Sequence, residues 1–448
     1  MTEPRMTELS MTQVIATLIN ARWIVPVEPE GQVLEHHALA IDGGRILAIL
    51  PQAEAAARYL ADTCLTFDRH VLMPGLINAH THASMTLLRG LADDLPLMRW
   101  LQDHIWPAEA RWVDPDFVRD GTQLAVAELL RGGTTCFNDM YFFPEVTAAV
   151  AREAGIRACI GLIAVDFPTA YAGSLDEYLS KGLALHEVLR DEPLLHTAFA
   201  PHATYTVSAP ALERIGRLAA ELNLQVHTHV HETAAEIAEF QARHGCRPLQ
   251  RLDDIGLLSP RLLAVHMTQL ESAEIERLAA TGVHVAHCPE SNLKLASGFC
   301  PVARLDAAGV NVAIGTDGAA SNNDLDLFGE LRTAALLGKG VAGDASALPA
   351  ARALRMATLN GARALGLAHE TGSLEPGKAA DVIAIDLGEL ETEPVYHPLS
   401  QLVYAVSRRQ VSDVWVAGRR VLAERRLITM DPDEIIRKAR NWRNRIVA

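Results

Sequence analysis

The chain has 448 residues, 49% of them hydrophobic and 21% charged, with a formal net charge of −15. This is an ordinary globular composition, long enough for one large domain and a smaller one. The acidic balance, without any basic run, excludes a polyphosphate-binding surface, and no apolar stretch reaches the roughly 20 residues of a membrane span. Met1 to Gln13 is polar and lacks the apolar core of a secretory signal, and Met6 and Met11 offer alternative starts. The six cysteines, at 64, 136, 159, 246, 288 and 300, form no Cys-x-x-Cys pair, so a reducing, cytoplasmic setting is expected.

Residues 14–72 read as β-rich, with strand-like runs from Val14 and from Ala38 around an Asp-Gly-Gly turn. The middle of the chain alternates. Apolar strand-like runs fall near Leu72–Ala79, Thr134–Asn138, Ala158–Val165, His196–Ala200, Gln225–Val230, Leu262–Val265, Val283–Ala286 and Asn311–Ile314. Helix-like segments such as Ser208–Glu221, Ser272–Thr281 and Asp324–Leu337 lie between them. Strand texture returns at Ala380–Asp386 and from Val411, and a last helix is expected over Pro432–Ile446. The pattern predicts an α/β protein: a (β/α)8 TIM barrel with a small β-sandwich domain built from both termini. The expected division is 14–72 plus 371–448 for the composite β domain and 73–370 for the barrel.

Polar residues of one chemical type end several of these runs. Met73-Pro-Gly-Leu-Ile-Asn-Ala-His-Thr-His places His80 and His82 at a strand end, where alternate residues share a face. Leu224-Gln-Val-His-Thr-His-Val-His-Glu-Thr supplies His229, Leu262-Leu-Ala-Val-His-Met supplies His266, and Val310-Asn-Val-Ala-Ile-Gly-Thr-Asp-Gly supplies Asp317. In a barrel these positions meet at the C-terminal rim, where catalytic groups sit. Three His and one Asp can hold one divalent ion with room for a water, whose pKa zinc lowers toward about 7.

Proton carriers are then needed. Glu232 is either a first-turn or capping residue of the next helix or an acid/base beside the metal; its ligand neighbour favours the second. His266 orients the water or adds a fifth ligand, and Asp317 can also accept the water's proton. His227 and His231 share the parity of His229 and read as inward polar packing or support for it. His287 is either a wall of the site or a satisfied polar residue. A His-x-Glu with Pro-Cys-x-x-Cys is absent, and the Gly-rich strings lack nucleotide-binding spacing.

Pro74-Gly-Leu-Ile-Asn-Ala-His-Thr-His, His229-Val-His-Glu-Thr and Gly315-Thr-Asp-Gly-Ala-Ala-Ser-Asn-Asn resemble the metal-dependent amidohydrolase superfamily. So does Gly372-Ser-Leu-Glu-Pro-Gly-Lys-Ala-Ala-Asp-Val. Met85-Thr-Leu-Leu-Arg-Gly-Leu-Ala-Asp-Asp-Leu-Pro-Leu, Phe137-Asn-Asp-Met-Tyr-Phe and Glu290-Ser-Asn-Leu-Lys-Leu are similar to the 5'-methylthioadenosine/S-adenosylhomocysteine deaminase group. The resemblance implies metal ligands His80, His82, His229 and Asp317, an acid/base at Glu232, and a water-steering His266. It also implies a ribose-binding Glu109 and a substrate contact at His202. No lysine matches the bridging lysine of binuclear relatives, which implies one Zn2+ per chain, or another divalent ion such as Fe2+ or Mn2+.

The implied reaction is hydrolytic deamination of a 5'-modified adenosine to the inosine analogue and ammonia. A guanine-type or chlorotriazine/melamine-type amidohydrolase on the same fold is the alternative, and it would lack the Glu109 clamp. The implied partner is a small purine nucleoside, with no nucleic acid and no membrane, and the expected assembly is a homo-oligomer, a dimer or tetramer. Residues 158–180 contain no Lys, Arg or His. That favours methylthioadenosine or adenosine over S-adenosylhomocysteine, unless Arg89 or a partner subunit supplies a cation for the amino-acid tail.

Overall fold

The computed structural model describes residues 12–448; the readings made on Met6 and Met11 lie outside the described residues. Among the described residues, sixteen strands fall into two sheets of eight. The barrel strands are short and apolar on both faces, as parallel strands covered by helices must be. They are β5 (Leu76–Thr81), β6 (Thr134–Asp139), β7 (Arg157–Ala164), β8 (Leu195–Pro201), β9 (Gln225–Val230), β10 (Leu262–His266), β11 (His284–His287) and β12 (Val312–Ile314). They pair in parallel in chain order, β5 to β12. The expected eight runs thus all form barrel strands.

Alternation divides their side chains. Leu263 and Val265 pack with Cys159, Ala286 and Ala313, whereas Leu262 and Ala264 pack with Phe199, Val226, Val285 and Val312 under the helices. Val265 is in register with His229, so the first set and the His229 imidazole share the inner face.

The second sheet uses both ends of the chain. Its strands are β1 (Gln13–Ile24), β2 (Leu34–Asp42), β3 (Arg45–Pro51), β4 (Tyr59–Pro74), β13 (Val382–Asp386), β14 (Val411–Val416), β15 (Arg419–Ala423) and β16 (Arg426–Leu427). Their order is β16-β15-β14-β13-β4-β1-β2-β3, with β13 antiparallel to β4. Val71, Met73, Ile383 and Ile385 face the barrel core, while Leu72, Val382, Ala384 and Trp415 pack on the other side.

The run expected as one barrel strand from Leu72 serves two sheets. Leu72 to Pro74 pair with β13, and the barrel strand starts at Leu76. Gly75 makes the switch: a Cβ there would lie 2.0 Å from Thr135 Oγ1, so a side chain is excluded. A helix over Gln52–Arg58 was not anticipated.

One buried ion pair joins the two bodies of the fold. Arg157, at the start of β7, donates from Nε to Asp381 Oδ2 at 2.9 Å and from Nη2 to Oδ1 at 3.3 Å. The Asp381 Oδ1 atom also accepts from the Ala417 amide at 2.7 Å. The C-terminal helix Pro432–Val447 lies on the helix Pro115–Arg131. Trp442 donates to Asp120 Oδ2 at 2.9 Å and meets the Phe117 ring at 5.2 Å, in one cluster with Met85, Trp100 and Ile105. No helix among the described residues is long and apolar enough to cross a membrane.

Candidate active site

The seam between β12 and β5 carries the metal residues. It is closed by hydrogen bonds outside any ladder. The Asp317 amide donates to the His80 carbonyl at 3.0 Å, and the Thr316 amide donates to Asn78 Oδ1 at 3.1 Å. A Cβ on Gly315 would lie 2.8 Å from the His80 nitrogen, so only glycine lets the strands approach this closely. The β5–β6 ladder slips between Asn78 and Thr81, a bulge of the kind that re-aims side chains beside sites.

His80, His82, His229 and Asp317 then converge, with one donor atom from each lying within 4.8 Å of the others. Asp317 Oδ1 is 3.2 Å from the Nε2 atoms of both His80 and His82, and His229 Nε2 is 3.2 Å from His80 Nε2. The other ring nitrogens are committed elsewhere. His82 Nδ1 donates to the Met140 carbonyl at 2.5 Å, and His229 Nδ1 donates to the His202 carbonyl at 2.6 Å. His80 Nδ1 is bonded to His227 Nε2 at 2.7 Å. Such outer bonds fix the tautomer and leave each Nε2 lone pair facing the centre.

Burial pushes His80 down to about 4 and His229 well below its ordinary value, which keeps both imidazoles neutral. Burial would likewise lower His82 and raise Asp317, but their mutual hydrogen bond outweighs it. His82 is raised to about 9 and Asp317 is held well below the usual carboxylate range. Three imidazole nitrogens around a carboxylate that calls for positive charge fit one divalent ion, zinc by its donor preference. Asp317 is itself braced: Ser291 Oγ and Ser321 Oγ donate to Oδ2 at 2.7 and 2.8 Å, and the Gly318 amide donates to Oδ1 at 2.8 Å.

Glu232 follows β9 and is 5% exposed. Its helix-capping reading fails on geometry. Thr233 caps the helix Ala234–His244 by accepting from the Glu236 amide at 3.1 Å, and Glu236 Oε2 accepts from the Glu232 amide at 2.6 Å. The Glu232 carboxyl is therefore free to line the cavity, 3.8 Å from His266 Nε2. Burial, with Asp317 adding to it, pushes this carboxyl up to about 8. His266 donates from Nδ1 to Asn292 Oδ1 at 2.9 Å and stays outside the converging ligand set. His266 and Asp317 both hold left-handed backbone, at φ 75 and 60, a strain that surrounding structure must impose.

His227 supports His80, as its parity suggested. His231 has turned away and accepts from the Leu249 amide at 3.2 Å. His287 is buried but lines no part of the cavity, and its Nδ1 has no hydrogen-bond partner among the described residues.

A cavity of about 700 Å3 opens over the metal residues, within the usual range for small-molecule sites. His202 and Glu109 both line it, as do Trp100, Leu101, Ile105 and Trp106. His202 Nδ1 is bonded to Thr206 Oγ1 at 3.0 Å, and burial lowers the imidazole to about 3. Glu109 accepts from the Tyr141 hydroxyl at 2.8 Å, and burial raises its carboxyl to about 7 against that bond. No Lys or Arg lines the cavity among the described residues. Arg89 is bonded to Glu128 instead, and Lys181 pairs with Glu177 at 2.7 Å.

Sequence reasoning gave no role to Asn292, Ser291, Ser321 and Tyr141, although each lies in a segment that carried the resemblance. The polar pair Ser291-Asn292 just past a strand end was the available signal. In the wall segment Leu97–Trp112 the resemblance gave a role to Glu109 alone.

The barrel, the rim placement and the three-His, one-Asp centre define a class of metal-dependent hydrolases. The chain belongs to the amidohydrolase family, whose model matches residues 71–421. It is 52% identical over 440 residues to a 5-methylthioadenosine/S-adenosylhomocysteine deaminase of Teredinibacter turnerae, covering 98% of this chain and 100% of that one. A deaminase of the same name from Saccharophagus degradans is 52% identical over 431 residues, 96% of this chain and 97% of that one. Among solved structures, a zinc-bound adenosine deaminase from Xanthomonas campestris superposes with a TM-score of 0.96 at 57% identity, over 97% of this chain and 99% of that one. A zinc-bound atrazine chlorohydrolase from Arthrobacter aurescens reaches a TM-score of 0.87 at 25% identity, over 95% and 99% of the two chains.

Proposed function

We propose that this protein is a zinc-dependent hydrolase that deaminates the adenine ring of 5'-modified adenosines, releasing the inosine analogue and ammonia. The observation that carries the reading is the presence in one cavity of two differently placed carboxyls. Glu232 stands beside the metal residues, and Glu109 stands in the wall with a phenol donor. The names of the relatives at 52% identity and of the structure at 57% point to the same substrate class.

A divalent ion held by His80, His82, His229 and Asp317 acidifies the attacking water and so supplies a nucleophile near neutral pH. The chain's own residues do the rest. Glu109 accepts hydrogen bonds from the ribose hydroxyls and sets the nucleoside in the cavity, with His202 contacting it. His266, oriented through Asn292, steers the water onto the ring carbon that bears the amino group. Glu232, raised to about 8 by burial, holds its proton at neutral pH and delivers it to the adjacent ring nitrogen. Negative charge therefore never builds on the ring. Asp317 takes the proton of the water and passes it to the departing ammonia, while Glu232 recovers a proton from the new hydroxyl as the ring carbonyl forms.

The cavity favours a small apolar 5' group. Ile163, Val165 and Phe167 line it and, among the described residues, no Lys or Arg does, which leaves an amino-acid carboxylate without a cation there. Methylthioadenosine should exceed S-adenosylhomocysteine in kcat/KM by about tenfold or more, which asks for only about 1.4 kcal/mol. Ammonia release across adenosine, methylthioadenosine, S-adenosylhomocysteine, guanine and triazines tests the whole reading. Turnover confined to the nucleosides supports it; turnover of triazines or guanine alone replaces it with the corresponding hydrolase.

A further inference from the structure

Glu109 lies in the helix Trp106–Trp112, in a segment that joins no sheet. The segment hangs between β5 and the helix Pro115–Arg131 and includes a π turn over Leu101–Ile105. A glutamate there has three free side-chain torsions, and its one side-chain hydrogen bond among the described residues comes from Tyr141. Tyr141 is differently placed. It sits two residues past the end of β6, on the rigid rim, and is 4% exposed. Its neighbour Met140 gives its carbonyl to His82. Two consecutive residues thus fix a metal ligand and the proposed sugar-binding carboxylate from a single turn.

We propose that Tyr141 is a positioning residue for sugar recognition: its phenol holds one Glu109 oxygen and aims the rest of the carboxylate at the ribose diol. This rests on the nucleoside reading given above. Burial and the Glu109 charge keep the phenol protonated, so it serves as a donor across the working pH range. A carboxylate has about four acceptor sites, and one bond to the phenol leaves enough for two hydroxyls. A charge-assisted bond from a rigid donor removes torsional freedom that binding would otherwise have to freeze.

The competing role is plain wall packing, because the Tyr141 ring belongs to the cluster with Met85, Trp100 and Phe117. Tyr141→Phe keeps the ring and removes the donor, and adenosine can be compared with its 2'-deoxy and 3'-deoxy analogues. The expected result is a KM for adenosine raised about tenfold or more, with kcat within about threefold and metal content unchanged. Both deoxy analogues, which have already lost half of the diol contact, should change by no more than about twofold. In a Glu109→Gln background the same substitution should add nothing further. Equal losses on all three nucleosides, an unchanged adenosine KM, or a full additional loss in the Glu109→Gln background would each overturn the assignment. Native enzyme that turns over no nucleoside would overturn the nucleoside reading, and this inference with it. Native discrimination between ribose and deoxyribose that survives Tyr141→Phe overturns only the inference.

Discussion

Glu232 illustrates how much one side chain's freedom decides. Thr233 and Glu236 do the capping, so the Glu232 carboxyl has no structural task that its amide would fail to perform. Glu232→Gln should therefore keep the metal and the fold yet lose several powers of ten in turnover, as assays beside elemental analysis would show. Near-normal turnover would remove the proton-transfer role. Glu109 gives a pH signature. Burial raises its carboxyl to about 7, so the accepting, charged form prevails above that pH and is lost as pH falls through it. KM for nucleosides should rise as pH drops below about 7, approaching tenfold per unit, while Glu109→Gln gives a high, flat KM. A flat native profile would show that the proton on Glu109 does not matter for binding. The ligand set, and the place of Glu232 in the same cavity, were legible because ionisable residues end apolar runs there. Tyr141 and Asn292 were not, because what they do depends on which distant residue the fold sets beside them.

At the level of elements, the eight parallel strands were readable because burial on both faces demands unbroken apolar runs. The junction at Pro74-Gly75 was not. The run from Val71 to Ala79 is buried throughout with Asn78 its one polar residue, and only the Thr135 contact at Gly75 shows where one sheet yields to the other. Nor did the sequence expose the Arg157–Asp381 pair, whose partners are 224 residues apart. Both side chains are 1% exposed, so removing one strands a buried charge. Arg157→Ala should cost about 3–5 kcal/mol and lower the unfolding midpoint, with metal content and low-temperature kcat preserved. The site lies at the other end of the barrel strands, where stability and catalysis are separable. Loss of metal in a still folded Arg157→Ala protein would contradict that separation.

For the molecule as a whole, the sequence conveyed a barrel flanked by a sheet from both termini, since the change from alternating to mixed texture marks both ends of the middle. It could not convey the cavity's roof. The segment Leu97–Trp112 has helical spacing at Leu97, Trp100, Leu101 and Ile105, but where it docks is set by packing against Phe117 and Trp442. Purified protein should carry about one divalent ion per chain by elemental analysis, and His229→Ala should lose most of it together with activity. Two ions per chain would require a ligand beyond the four that converge.

The contact between Trp442 and Asp120 spans 322 residues. At about 5–20 residues per second, a ribosome needs roughly 15–65 seconds to travel from one to the other. Throughout that interval Phe117, buried in the finished protein, lacks the indole that covers it. The nascent chain thus displays a helix with an uncovered apolar face for most of its synthesis. Demand for chaperones should accordingly be greatest while the barrel is nearly complete and the closing helix is still unmade.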